Sequence, residues 1–209
     1  SGSSTFNSVD ISDDGKYIVA GSEDKKVYLF NKNSSTPLWV YTAGDNVNSV
    51  AISADGEYIT AGSQYGHVYI FQKDNNIPLW NYTPANPAFE ERINTIDISA
   101  NGEYIIAGSK NNKTYLFDKD SSSKLWKYDP QDGYIRDTVA LSSDGKNIVA
   151  GTTTGSIYYW DRESSTPLWI YDTGSDEIRD LSMSADGKYI VVAAGEYVYL
   201  FDNNNNSLW

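Results

Sequence analysis

The sequence predicts an all-β fold in which one four-stranded antiparallel unit is repeated five times. Two markers recur at a period in the low forties. The first is a segment of the form ISADGEYITAGS, whose turn glycine is Gly15, Gly56, Gly102, Gly145 or Gly187. The second is a Leu-Trp dipeptide, which ends at Trp39, Trp80, Trp126, Trp169 or Trp209. A period of this length is typical of one blade of a β-propeller, and no segment has a sustained helical period.

The second copy illustrates how each unit divides into strands. The first predicted strand covers about residues 48–53, and the turn at 54–57 follows, where Asp-Gly supplies the backbone angles of a hairpin. Residues 58–63 form the second strand and a polar, glycine-containing loop comes next. The third strand at 68–72 alternates β-branched and aromatic residues, and the fourth lies around 79–83.

A single sheet of this size leaves an apolar face uncovered, so the units are expected to stack radially around one axis. The sequence therefore predicts one domain over residues 1–209, a five-bladed β-propeller of four-stranded antiparallel blades. The repeat units run approximately over 6–46, 47–92, 93–135, 136–177 and 178–209. The last blade is predicted to be incomplete, or to close on the first without a strand swap. The recurring Trp and Tyr residues are interpreted as packing between blades, because every blade has its copy.

Two known repeat families resemble this pattern. The segment ISANGEYIIAGS followed by KTYLFD is similar to the WD repeat, although only the fourth copy, at Trp160 and Asp161, has the Trp-Asp pair itself. The run FDKDSSSKLWKYD is similar to the quinoprotein-type repeat. The resemblance implies a propeller but no particular activity. The histidine network of WD repeats is absent, since His67 is the only histidine, and no cofactor or calcium ligand of quinoprotein dehydrogenases can be transferred to this sequence.

Composition narrows the function classes. The net charge of −12 disfavours binding to nucleic acid and to anionic membranes. There are no cysteines, so disulfides and thiolate metal sites are excluded. A single histidine excludes a histidine-cluster metal site, and no nucleophile motif surrounds it. Most aspartates precede turn glycines, and tight turns explain the Asp-rich hairpins more simply than weak cation binding does. We therefore expect no enzymatic activity, no cofactor and no metal.

Differences between copies indicate two candidate binding regions. One is the long linker into the third blade, where Phe89, Glu90, Glu91 and Arg92 are candidate binding residues and a tolerated insertion is the alternative. The other is a mouth of the central channel, where the innermost strands begin and Arg136 lies nearby. Its predicted ring, for which ordered water is the alternative occupant, consists of Asn7, Asn48, Asn94, Asp137 and Arg179.

These observations favour a non-catalytic binding or scaffold propeller, which binds a protein or a small polar ligand through its loop face. Two alternatives stay open: a fragment of a larger quinoprotein-like or hydrolytic propeller enzyme, and a purely structural repeat protein without a ligand. A monomer is favoured over an oligomer paired through strand edges. Matches to the N-glycosylation pattern favour an extracellular or cell-surface location.

Overall fold

The computed structural model describes residues 4–85, 91–130, 135–174 and 177–209, together with the backbone but not the side chains of residues 136 and 137. The described residues form five antiparallel sheets, four with four strands and the last with three. Chain order is kept within every sheet, so each blade is a meander of consecutive hairpins. The all-β prediction and the repeated four-stranded unit are confirmed.

The first two sheets cover the first two repeats. Their strands are β1 (Phe6–Ile11), β2 (Tyr17–Ser22), β3 (Lys26–Asn31), β4 (Trp39–Thr42), β5 (Val47–Ile52), β6 (Tyr58–Ser63), β7 (Val68–Gln72) and β8 (Trp80–Tyr82). The third and fourth sheets contain β9 (Ile93–Ile98), β10 (Tyr104–Ser109), β11 (Thr114–Asp118), β12 (Lys124–Tyr128), β13 (Ile135–Leu141), β14 (Asn147–Thr152), β15 (Ser156–Asp161) and β16 (Trp169–Asp172). The fifth has β17 (Ile178–Met183), β18 (Tyr189–Ala194) and β19 (Tyr197–Asp202), beside which Ser207 forms an isolated bridge with Phe201.

The turn after each innermost strand has the geometry that its sequence predicts. In the second blade Gly56 has a φ of 73°, which only glycine adopts without strain. The Ser53 hydroxyl donates to Asp55 Oδ1 at 2.6 Å, and the same oxygen accepts the Glu57 amide at 2.9 Å. The aspartate therefore fixes the turn, which aligns the first two strands of the blade.

Four apolar clusters hold the blades together, one between each pair of successive sheets. The recurring tryptophan lies at the outer side of each cluster. Trp39, for example, packs on Phe71 with ring centroids 5.4 Å apart, and its indole N–H donates to the Lys73 carbonyl oxygen of the next blade at 2.7 Å. The tryptophans are therefore packing residues that tie one blade to the next.

The extensively packed strand pairs of the described residues run only within blades and between successive blades. The innermost strands β1, β5, β9, β13 and β17 pack side by side in that order. The first and fifth blades do not share an apolar cluster among the residues described. The blades thus form a propeller-like stack, and among the described residues no extensive strand packing closes it into a ring within one chain.

Candidate functional site

The innermost strands end around a cavity of about 350 Å³ to which all five blades contribute. We call it the acidic opening, because the charged residues in its lining are Asp10, Asp13 and Asp97. No basic side chain belongs to that lining in the described part of the chain. The opening therefore concentrates negative charge at one end of the propeller axis.

Asp10 in β1 connects the first two blades at this opening. Its Oδ1 accepts the backbone amide of Ile11 at 2.8 Å, and its Oδ2 accepts the amide of Ile52 in the second blade, also at 2.8 Å. These amides lie on innermost strands, whose channel-facing edge has no further strand to pair with. The carboxylate supplies the missing acceptor.

Asp97 in β9 repeats this arrangement two blades further along. Its Oδ1 accepts the Ile98 amide and its Oδ2 accepts the Leu141 amide, each at 2.8 Å. Two carboxylates on alternate blades thus bind four strand-edge amides. The same position is occupied by Ala51, Ala140 and Ser182 in the other blades, so the acidic opening is asymmetric around the axis.

Both carboxylates are half-buried, and burial raises their pKa values. The pKa of Asp97 rises to about 6, mainly through burial and in small part through repulsion from Asp10, while its two amide bonds act in the opposite direction. The pKa of Asp10 is also raised, mainly by burial, with Asp13 adding repulsion. A cationic group in the opening would lower the pKa values of both carboxylates again, because it favours their ionised forms.

Sequence analysis did not predict Asp10 and Asp97. The signal that could have found them was present, since these two copies have an aspartate where two others have alanine. The predicted binding residues lie at the starts of the innermost strands, whereas Asp10 and Asp97 lie near the ends.

At the opposite mouth, the first three residues of the predicted polar ring form hydrogen bonds between blades. The side-chain amides of Asn7, Asn48 and Asn94 donate to carbonyl oxygens of the following blades. Those acceptors lie at 3.0, 3.1 and 2.8 Å and belong to Val47, Ile93 and Ile135. Each amide thus has a structural role, and ligand binding by these residues stays a prediction.

Among the other candidates of that mouth, the structure describes the side chain of Arg179 but not those of Arg136 and Asp137. Arg179 is exposed, and its guanidinium lies 3.8 Å from the Glu177 carboxylate. Arg136 and Asp137 belong to β13, but their side chains lie outside the described residues. No contact in the described part of the chain brings Arg179 to the three asparagines.

The linker into the third blade is anchored where it is described. Glu91 lies 3.5 Å from Lys113 Nζ and accepts a hydrogen bond from the Tyr115 hydroxyl at 3.3 Å. The Arg92 carbonyl oxygen accepts the Lys110 amide at 2.8 Å. Phe89 and Glu90 lie outside the described residues.

His67 is the only histidine of the sequence, and it lies near a hydroxyl and a carboxylate, as the histidine of a catalytic triad does. Its Nδ1 lies 3.2 Å from the Thr83 hydroxyl, and its Nε2 lies 3.8 Å from Asp45 Oδ2. The second distance is too long for a hydrogen bond, so Asp45 does not orient the imidazole as it would in a catalytic triad.

Metal-ion clusters and membrane-spanning helices are both absent from the residues that the structure describes. No group of three or more histidine, cysteine, aspartate or glutamate side chains is arranged to hold a metal ion there. None of the described segments is a helix long and apolar enough to cross a membrane.

The four-stranded meanders and the tryptophan contacts between blades are those of a β-propeller, and the family match given next places the chain in the quinoprotein-like repeat superfamily. The sequence profile of the outer membrane protein assembly factor BamB family matches residues 3–171, and the chain belongs to that family. A comparison with curated proteins finds no match. The WD-repeat resemblance stays a prediction.

Proposed function

We propose that this chain is a non-catalytic binding or scaffold propeller that holds a basic side chain of a partner protein in its acidic opening. The observation that carries the proposal is a cavity with two half-buried carboxylates and no basic residue in the described lining. The family supports a binding role, because its description names an assembly factor. The proposal includes all five blades, because each of them contributes residues to the lining of the opening.

The test uses a capped tetralysine peptide as the probe and calorimetry as the measurement. The double substitution Asp10→Asn and Asp97→Asn should abolish binding, since it neutralises the two half-buried carboxylates among the three of the opening. The matched control, Asp74→Asn with Asp120→Asn, removes the same charge from exposed positions elsewhere and should retain the affinity of the wild type. Equal losses in the two variants would mean that the peptide senses only the net charge of the chain.

The pH and the salt concentration provide a second check on the same site. Binding should strengthen as the pH rises through about 6, because Asp97 then loses its proton. It should weaken with added salt, as expected for charges at an accessible opening. An affinity independent of pH in this range would place the peptide elsewhere.

The loop face predicted from the sequence remains the other place for a protein partner. Changing Glu90, Glu91, Arg92 and Arg179 together to alanine would remove its charges. If this variant loses a partner that the Asp10 and Asp97 variant still binds, the loop face and not the acidic opening is the binding site.

The uncovered faces of the first and fifth blades favour a second candidate function. In it the five blades are a section of a larger quinoprotein-like or hydrolytic propeller enzyme, whose other blades cover these faces. That candidate predicts turnover by the larger protein, with substrate bound by residues of several blades. A larger protein that binds its partner without turnover would support the scaffold instead.

A further inference from the structure

The first blade exposes an apolar face that the other four blades bury. Phe6 is 53% exposed, whereas its counterparts Val47, Ile93, Ile135 and Ile178 are fully buried. Val9 is 67% exposed, whereas the residues at the same register, Val50, Ile96, Val139 and Leu181, are between 4% and 8% exposed. In each interior case the preceding blade provides the cover. We define the first-blade face by Phe6, Val9, Ile11, Ile18 and Phe30.

The fifth blade exposes the complementary face. Val198 is 52% exposed, whereas its counterparts Val27, Val68, Thr114 and Ile157 are fully buried against the next blade. Val191 is exposed as well, although the residues at its position in the other blades are fully buried. We define the fifth-blade face by Tyr189, Val191, Val198, Leu200 and Trp209.

The backbone of Trp209 is held in the same way as that of the other recurring tryptophans, but its indole packs on no aromatic ring of the described residues. The Leu208 amide donates to the Leu200 carbonyl oxygen at 2.8 Å, as the Leu38 amide donates to Leu29 at 2.7 Å beside Trp39. Trp209 is nevertheless 64% exposed. Its backbone is therefore positioned as in an interior interface while its indole lies in solvent.

The first-blade face contains an open slot at the place where an interior interface receives the indole. The slot has a volume of about 440 Å³ and is lined by Ile18, Phe30 and residues 31–35. Interior tryptophans pack on the residue equivalent to Phe30 and donate to the carbonyl oxygen two positions later. Phe30 and the Lys32 carbonyl oxygen therefore provide both contacts that the Trp209 indole lacks.

The two faces also match where they depart from the repeat. Each of the first four blades places a glycine against a β-branched residue of the next blade; the glycines are Gly21, Gly62, Gly108 and Gly151. A Cβ added to any of them would lie 2.3–2.6 Å from that β-branched side chain. The fifth blade has Ala193 at this position, so its added methyl group would clash with a β-branched residue. Phe6 is the one copy without a branch at Cβ, so it lacks one of the two Cγ atoms that the interior copies carry at this position.

We infer that the fifth-blade face docks on the first-blade face of a second copy of this chain, with Trp209 inserted into the slot. The interface is head to tail, and it repeats the apolar packing of the four interior interfaces. Because each copy keeps one free face after docking, association proceeds until a ring closes or a longer array forms. This inference does not depend on the acidic opening or on the proposed function.

Two complementary substitutions test this docking directly. Val9→Asp places a charge on the first-blade face and Val198→Asp places one on the fifth-blade face, both at residues more than half exposed in the single chain. The wild type should self-associate in sedimentation velocity, and each variant alone should sediment as a monomer. Their equimolar mixture should form a one-to-one complex, because each variant retains the face that the other has lost. Unchanged circular dichroism and unfolding midpoints verify that both variants fold.

A matched control and two further substitutions separate docking of the two faces from nonspecific self-association. Ile77→Asp charges an exposed aliphatic residue outside both faces and should self-associate like the wild type. Trp209→Phe keeps an aromatic ring but loses the N–H donor, and should weaken association roughly 2- to 10-fold. Trp209→Ala should weaken it further.

Three results would overturn the inference. A monomeric wild type would mean that these faces are covered in another way, by closure within one chain or by further blades. Self-association that survives both aspartate substitutions would indicate pairing through strand edges or another surface. Variants that stay monomeric after mixing would show that the two faces do not recognise each other.

Discussion

The interior interfaces and the two uncovered faces use the same sequence positions but differ in what surrounds them. Val50 and Val9 occupy the same place on an innermost strand, and only Val50 has a preceding blade against it. The residue type therefore does not determine burial in this molecule. An apolar side chain in a repeat is stabilising only when its neighbour is in place, as expected for an array whose stability is a sum of interface contributions.

The polar contacts differ between the two regions in the same way. At every interior interface the turn after an innermost strand donates a backbone amide to the next turn, as Ala54 does to Ala100 at 3.0 Å. An asparagine amide at the other end of the strand ties the first three interfaces. These directional hydrogen bonds fix the position of each innermost strand relative to that of the next blade. The apolar clusters supply most of the stabilisation.

Removing a buried side chain should distinguish the two regions most strongly. Ile93→Ala deletes atoms that are fully buried between the second and third blades, and we expect it to lower the free energy of unfolding by about 2–5 kcal/mol. Phe6→Ala, at the equivalent position of the first blade, should cost less, about 0.5–1.5 kcal/mol, because its half-exposed ring makes an edge contact with Tyr28 but has no preceding blade packed on it in the single chain. Urea unfolding of monomeric protein measures both. Equal losses would mean that the first-blade face is already covered in the single chain.

Adding a methyl group should be the next largest effect. Gly62→Ala places a Cβ 2.4 Å from Ile93 Cγ2, and such overpacking costs about 1–3 kcal/mol. The reverse change at the equivalent position of the fifth blade, Ala193→Gly, removes no such contact and should cost less than Gly62→Ala. Thermal unfolding compares the two variants, and a larger loss for Ala193→Gly would contradict the equivalence of the two positions.

Much of the fold could be predicted because it is repeated. The turn glycines and the packing role of residues such as Trp39 follow from identical residues at identical spacing. Exposure could not be predicted in this way, since Val9 and Val50 are the same residue in nearly the same local sequence. The acidic opening was missed for another reason: Asp10 and Asp97 come together because the innermost strands of successive blades pack side by side, which local patterns do not encode.

The carboxylate of Asp97 should make one interior interface sensitive to pH. Its folded-state pKa of about 6 lies above the ordinary value of 3.8, so the folded chain binds this proton more tightly than the unfolded chain. The resulting stabilisation is fully present below pH 3.8 and is lost as the pH rises through about 6. We expect a change of about 1–2 kcal/mol, because one pKa unit corresponds to about 1.4 kcal/mol and partial exposure reduces the effect.

Comparing the pH dependence of unfolding in three proteins isolates this contribution. Asp97→Asn cannot titrate and should lack the loss of stability between these pH values. The control Asp74→Asn, at an exposed site, should keep the slope of the wild type. A wild-type slope in Asp97→Asn would assign the effect to other groups.

The smallest expected difference concerns a single indole hydrogen bond, and it separates the two regions most cleanly. Trp80→Phe keeps a ring against Phe117 but leaves the Lys119 carbonyl oxygen without its donor at 2.7 Å, which should cost about 0.5–1.5 kcal/mol in unfolding experiments. Trp209→Phe should leave the unfolding of the monomer unchanged, because its indole is 64% exposed in the single chain. The same substitution should nevertheless weaken self-association. The recurring tryptophan should therefore stabilise the single chain at Trp80, but only the contact between two chains at Trp209.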